Sequence, residues 1–166
     1  MSPKLRTFIP AAFFALLLDQ ATKLWVIAAI ERGHVVPVIE PVFYLTHVRN
    51  PGASFSLFII EDPALRIAVF GTLSLIAIGV ILDFVRRLEP GARASALALG
   101  LILGGAVGNL VDRLVHAEVV DFLRVWLTPT YSWPDFNLAD SFIVCGVLYL
   151  VFEAFFSGDA GEESSA

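Results

Sequence analysis

The sequence predicts a membrane α-helical fold, a single domain over residues 1–166 in which four transmembrane helices carry a small extracytoplasmic β-cradle. Three observations predict it. Hydrophobic residues make up 57% of the chain and charged ones 16%, with a mean hydropathy of +0.79, well outside the soluble average. Four stretches are apolar for roughly 20 residues, the length a helix needs to cross about 30 Å of hydrocarbon. The connection after the first of them is long and strand-like.

Span one runs approximately over 8–30, behind Lys4 and Arg6. A cleaved signal peptide opens in the same way. Here the apolar pattern continues through LWVIAAI beyond Asp19 and Lys23, and no clean small-x-small cleavage site follows, so the span reads as retained. The connection from Glu31 to Ala64 is too long for a turn. Its β-branched and aromatic runs HVVPVI and VFYLTHV, punctuated by Pro37, Pro41 and NPGA, predict a small antiparallel sheet lying on the outer membrane face. Span two covers about 65–85, and a short turn holding Arg86, Arg87 and Arg93 leads to span three at about 94–115. The connection from His116 to Asn137 places Trp126, Tyr131 and Trp133 where an interfacial aromatic belt forms. Span four occupies about 138–157, and an acidic tail, 158–166, ends the chain.

Lysine and arginine precede span one and crowd the turn between spans two and three, whereas the two longer connections carry them sparsely, which predicts both termini in the cytoplasm. The net charge of −5 says little about partners, because two glutamates and one aspartate fall in the last eight residues, DAGEESSA. No basic cluster with interleaved aromatics is present, so nucleic acid is not an expected partner. The one cysteine, Cys145, lies in an apolar run and reads as a buried structural thiol. His34, His47 and His116 have no ligand-like spacing, so no metal site is expected.

The polar residues within the spans are the informative ones, because a charge inside a bilayer needs an end position, a partner or a function. Asp19 lies twelve residues past Thr7, roughly 18 Å along a helix, with Lys23 about one turn further. Asn109, Asp112 and Arg113 come at the far end of span three, Asp140 at the start of span four, Asp121 in the link between them and Asn50 in the first outer loop. All can therefore meet near the outer interface. Asp19 and Lys23 form an i, i+4 pair that can neutralise itself. Asp112 and Arg113 are sequence neighbours that do not face one another on a helix, so each wants a partner elsewhere. Gly100, Gly104 and Gly108 are four apart on one stripe, the spacing of close helix packing. NPGAS reads as a turn around Gly52, beside the polar cluster where a substrate backbone can be held.

Asp121 and Asp140 differ from the rest: Asp140 has no basic residue three or four positions away, and Asp121, in the link between spans, has only Arg124 at that distance. Asp140 has a local explanation, as the acid of a capping pair with Asn137 at the start of span four. It also has a functional one. Two carboxylates brought together in a poorly solvated site cannot easily both ionise, and the pair can act as general base and general acid on one water.

DQATK in span one, NPGASF in the outer loop, GGAVGNLVDR in span three, VVDF at Asp121 and FNLAD at Asp140 resemble, in order and spacing, the lipoprotein signal peptidase family, also called signal peptidase II. The resemblance runs from about Asp19 to Asp140. It implies an aspartic endopeptidase of the bacterial cytoplasmic membrane, active at the outer face, that removes signal peptides from diacylglyceryl-modified prolipoproteins by cutting before the lipidated cysteine. It implies Asp121 and Asp140 as the catalytic dyad and no cofactor. Asn50, Gly52, Asn109, Arg113 and Asn137 would position substrate or support the dyad, and Asp19, Lys23 and Asp112 would be structural polar positions. It also implies a β-cradle with a short extracytoplasmic helix, lipoprotein precursors and membrane lipids as partners, and a monomer. The acidic tail departs from the basic tails common in such proteins. Two rival readings are a serine–lysine peptidase using Ser54 and Lys23, and a small transporter or assembly factor with a polar site at its outer face. No internal repeat of the kind common in transporters occurs.

Overall fold

The computed structural model describes residues 1–52 and 60–156. Ser54 and the acidic tail lie outside the described residues. Along the chain run α1 (Pro3–Ala29), β1 (Val35–Ile39), β2 (Phe43–Asn50), α2 (Pro63–Arg87), α3 (Arg93–His116), β3 (Val119–Thr128), β4 (Tyr131–Ser132) and α4 (Leu138–Phe156). All four helices are long and apolar enough to cross a membrane. They outrun the predicted spans at the charged ends, where Lys4, Arg6, Arg86 and Arg87 continue a helix that hydropathy stops marking.

The central helix is α3, with α1, α2 and α4 packed around it. Small residues make this possible. A Cβ on Gly104 would collide with the Ala12 carbonyl of α1 and the Ala15 methyl, and one on Gly100 would lie 2.6 Å from the Phe8 carbonyl. In lipid, where hydrocarbon gains little by meeting hydrocarbon, such close backbone approach is itself the source of attraction. At one end of the bundle Phe8, Ile81, Val85, Ala96, Leu99 and Ile102 form the core. The outward faces of α2 and α4 stay apolar and exposed, as lipid-facing surfaces should.

The sheet is an antiparallel meander in the order β1-β2-β3-β4. The prediction put it in the first outer connection alone. Half of it comes from the second connection, because VVDFLRVWLT, read as link and aromatic belt, pairs with β2 along most of its length. Near a membrane an apolar strand and an interfacial segment have the same composition. Val26 and Ile30 at the end of α1 bury against Val120 and Phe122, which seats β3 on the bundle. The implied short extracytoplasmic helix is not among the elements of the described residues.

Candidate active site

Asp121 is placed by β3. Its register opposite Val48 puts it on the same face as Asn50, one diagonal step along β2, and Asn50 Nδ2 donates to Asp121 Oδ2 at 2.9 Å. The Asn50 oxygen in turn accepts from the Gly52 N–H at 3.0 Å, which orients the Asn50 side-chain amide. Asp140 is placed by the first turn of α4. Its N–H donates to Asn137 Oδ1 at 3.0 Å while the Asn137 N–H donates to Asp140 Oδ2 at 3.2 Å, a reciprocal capping box.

The capping explanation for Asp140 is therefore real, and it leaves the residue's second oxygen for other work. Asn109 Nδ2 reaches that oxygen at 2.9 Å. The fully buried Asn137 closes the circuit by donating its side-chain amide to Asp121 Oδ1 at 2.7 Å while its backbone N–H holds Asp140 Oδ2, so one residue links the two carboxylates. Burial pushes the Asp121 carboxyl up to about 7, and the Asp140 charge adds to the push. Hydrogen bonds from Asn50 and Asn137 and the charge of Lys23 work against it.

Beneath this layer lies a second one. Lys23, 1% exposed, gives its ammonium to Asp19 at 2.9 Å, Asp112 at 3.0 Å and Asn109 Oδ1 at 2.9 Å. Asp19 Oδ1 accepts the Ala139 N–H of α4 at 3.0 Å, and Asp112 Oδ2 accepts the Val120 N–H of β3 at 3.0 Å. Gly108 has to be glycine here, because a Cβ would meet the Asp19 carboxylate. The three charges thus pin α1, α3, β3 and α4 together immediately below Asp121 and Asp140. The expected structural role of Asp19, Lys23 and Asp112 has a geometric basis, and each acid bonds the backbone of an element that carries an aspartate. Lys23 has three acceptors, which disfavours it as the base of a serine–lysine pair.

A cavity of about 530 Å³ opens in front of the pair. Asn50, Asn109, Arg113, Asp121 and Asp140 line its polar end, and Phe136, Ile143 and Val144 line much of the rest. Arg113 donates to the Asn109 carbonyl at 3.1 Å and lies 5.6 Å from the Phe70 ring centre of α2. Trp133 belongs to this cavity, whereas Trp126 sits with Tyr44 at another depression on the sheet. Cys145, expected to be buried, is exposed and lines the cavity. An apolar run marks residence in the membrane and does not tell a packed face from an open one.

Reading the sequence missed three positions. Gln20 bonds Asp19, Asp112 and the Gly108 carbonyl, each at 3.2 Å, and carried no signal of its own although it stands between Asp19 and Lys23 in DQATK. Arg66 donates to the Ile60 and Ala117 carbonyls, joining the start of α2 to the turn after α3. Arg124 grips Asp135 through two bonds of 2.7 Å. Only the opposite charges at either end of the β3–β4 hairpin could have signalled that last pair.

A bundle of apolar helices that holds two hydrogen-bonded carboxylates at the mouth of an apolar cavity has the construction of a membrane-embedded peptidase. The comparisons with known proteins agree. The family model described as Signal peptidase (SPase) II matches residues 11–156, and the chain belongs to that family. It is 42% identical over 150 residues to the lipoprotein signal peptidase of Geobacter sulfurreducens, covering 90% of this chain and 92% of that one. The lipoprotein signal peptidase of Geobacillus kaustophilus is 39% identical over 140 residues, 84% of this chain and 87% of that one. A solved bacterial membrane enzyme superposes with a TM-score of 0.86 at 25% identity, covering 100% of this chain and 99% of that one. The protein is a protease of a multi-pass bacterial membrane family.

Proposed function

We propose that the protein is an aspartic endopeptidase that removes the signal peptide from diacylglyceryl-modified prolipoproteins, cutting before the lipidated cysteine, with Asp121 and Asp140 as its catalytic dyad. The observation that carries this reading is the Asn137 bridge between two carboxylates that have no salt-bridge partner among the described residues. Membership of the signal peptidase II family supports the substrate class, and it leaves the transporter reading without support.

The chemistry follows from the pair. One carboxylate takes a proton from a water held between the two as the water oxygen attacks the scissile carbonyl carbon. The other, protonated, donates to the carbonyl oxygen as it gains charge. The tetrahedral diol then collapses, the C–N bond breaks, and the departing amine of the cysteine takes a proton from the dyad. Asn50, Asn109 and Asn137 keep both carboxylates oriented throughout. The signal helix and the lipid chains enter sideways from the membrane into the apolar part of the cavity, beside Ile143, Val144 and Cys145. Both termini lie in the cytoplasm, with the dyad at the outer face.

Purified protein in detergent with lipid tests the substrate class. A diacylglyceryl-modified prolipoprotein is cut before its cysteine, as read by gel shift and mass spectrometry, and the unlipidated precursor is not. Equal cutting of both would overturn the assigned substrate.

A further inference from the structure

Asp121 borders two cavities. The large apolar one lies in front of it, and a second one of about 300 Å³ adjoins it, sharing Asn50, Asp121 and Asp135 as a common wall. The walls of the second are of another chemistry, with Arg49, Arg124, Asp135 and Ser132 among its lining residues. The Arg124–Asp135 pair, with Thr46 donating to Asp135 at 3.3 Å, makes one side of it a braced surface. Arg124 is thereby neutralised. The guanidinium of Arg49, half-buried, has no acid or hydrogen-bond partner among the described residues, so of the two cations that line this cavity it is the one left unpaired there.

We infer that this second cavity receives the hydrophilic chain that follows the lipidated cysteine, and that Arg49 makes the enzyme favour an acidic residue in the first few positions after it. The inference rests on the proposed function. If the signal helix and the lipid fill the apolar cavity, the scissile bond lies at Asp121, and the chain beyond it continues into space that suits water-soluble peptide. A carboxylate there gains a charge-assisted bond to a guanidinium that otherwise has none. A lysine there meets like charge.

The test uses two lipidated precursors that differ only in the second and third residues after the cysteine, Asp-Asp in one and Lys-Lys in the other. Wild type cuts the acidic one with a kcat/KM roughly fivefold higher, the worth of a partly exposed ion pair. Arg49→Glu reverses the order, cutting the lysine precursor better, and Arg49→Gln cuts both alike. A structural role for Arg49 would lower both rates together and leave their ratio intact. An unchanged ratio in either variant, or no preference in wild type, overturns the inference while leaving the proposed activity standing. Cleavage of either precursor by Asp121→Asn would instead strike at the proposed activity itself.

Discussion

The side chain of Asn137 donates to one candidate catalytic aspartate and accepts from the backbone of the other, so this one buried amide bonds both residues of the pair. Around it the residue-scale chemistry is set by burial. With its carboxyl pushed up to about 7 from an ordinary 3.8, Asp121 holds its proton until the pH nears neutrality, which suits the proposed dyad's need for one acid and one base. The log of kcat/KM should therefore fall with unit slope above about pH 7, where the shared proton leaves; the apparent value belongs to the pair. A profile flat to pH 9 would contradict this. The linked effect on stability has a definite sign. Between about pH 4 and pH 7 the folded state holds a proton at Asp121 that the unfolded chain has released, so this group's contribution to stability declines as pH rises through that window and is level above it. Lys23 poses the opposite case of a cation with three acceptors. Lys23→Met leaves Asp19 and Asp112 buried without their counter-charge, a loss of about 3–5 kcal/mol. The melting temperature in detergent should drop sharply, and a melt like that of wild type would show that the ion cluster is dispensable.

At the scale of elements, the helices were legible because length and hydropathy suffice to mark a membrane span, and the glycine stripe told which face of α3 would be approached. Gly104→Leu should separate α1 from α3, since its first side-chain carbon already overlaps the Ala12 carbonyl. The result expected is loss of folded, monodisperse protein, whereas Gly79→Leu, a glycine with nothing within 4 Å, is tolerated. Equal behaviour of the two would remove packing as the reason for the stripe. The sheet was half legible. The first connection announced itself by prolines and β-branched runs, but β3 is apolar enough to pass for interface, and its partner β2 is some seventy residues away in sequence, a pairing no local pattern records. Cys145 was misplaced for a related reason: α4 is apolar all round, so nothing in its sequence separates the face on α3 from the face on the cavity.

For the molecule as a whole, the site was legible in outline before the fold was. Charges that are costly in lipid were countable, and four spans that alternate in direction send them to one end. What the sequence could not show is that they form two layers. Asp19, Lys23 and Asp112 tie helices and sheet together below, while Asp121, Asp140 and their three asparagines face the cavity above. Acids of both kinds look alike along the chain. The lower acids are matched to a buried lysine and to backbone N–H groups, and the upper pair is bonded, among the described residues, only by neutral donors. That difference is what supports the proposal that the upper pair carries the chemistry.

Cleavage by variants that remove one charge at a time tests that assignment most directly. Asp121→Asn, Asp140→Asn and Ser54→Ala are purified beside wild type, checked for folding by their thermal melts, and given the same lipidated precursor. Both asparagine variants should fold yet lose cleavage by roughly 10²–10⁴-fold or more, the span attributed to a general acid or base, while Ser54→Ala still cuts. Wild-type cleavage by a folded Asp121→Asn or Asp140→Asn would contradict the aspartic mechanism.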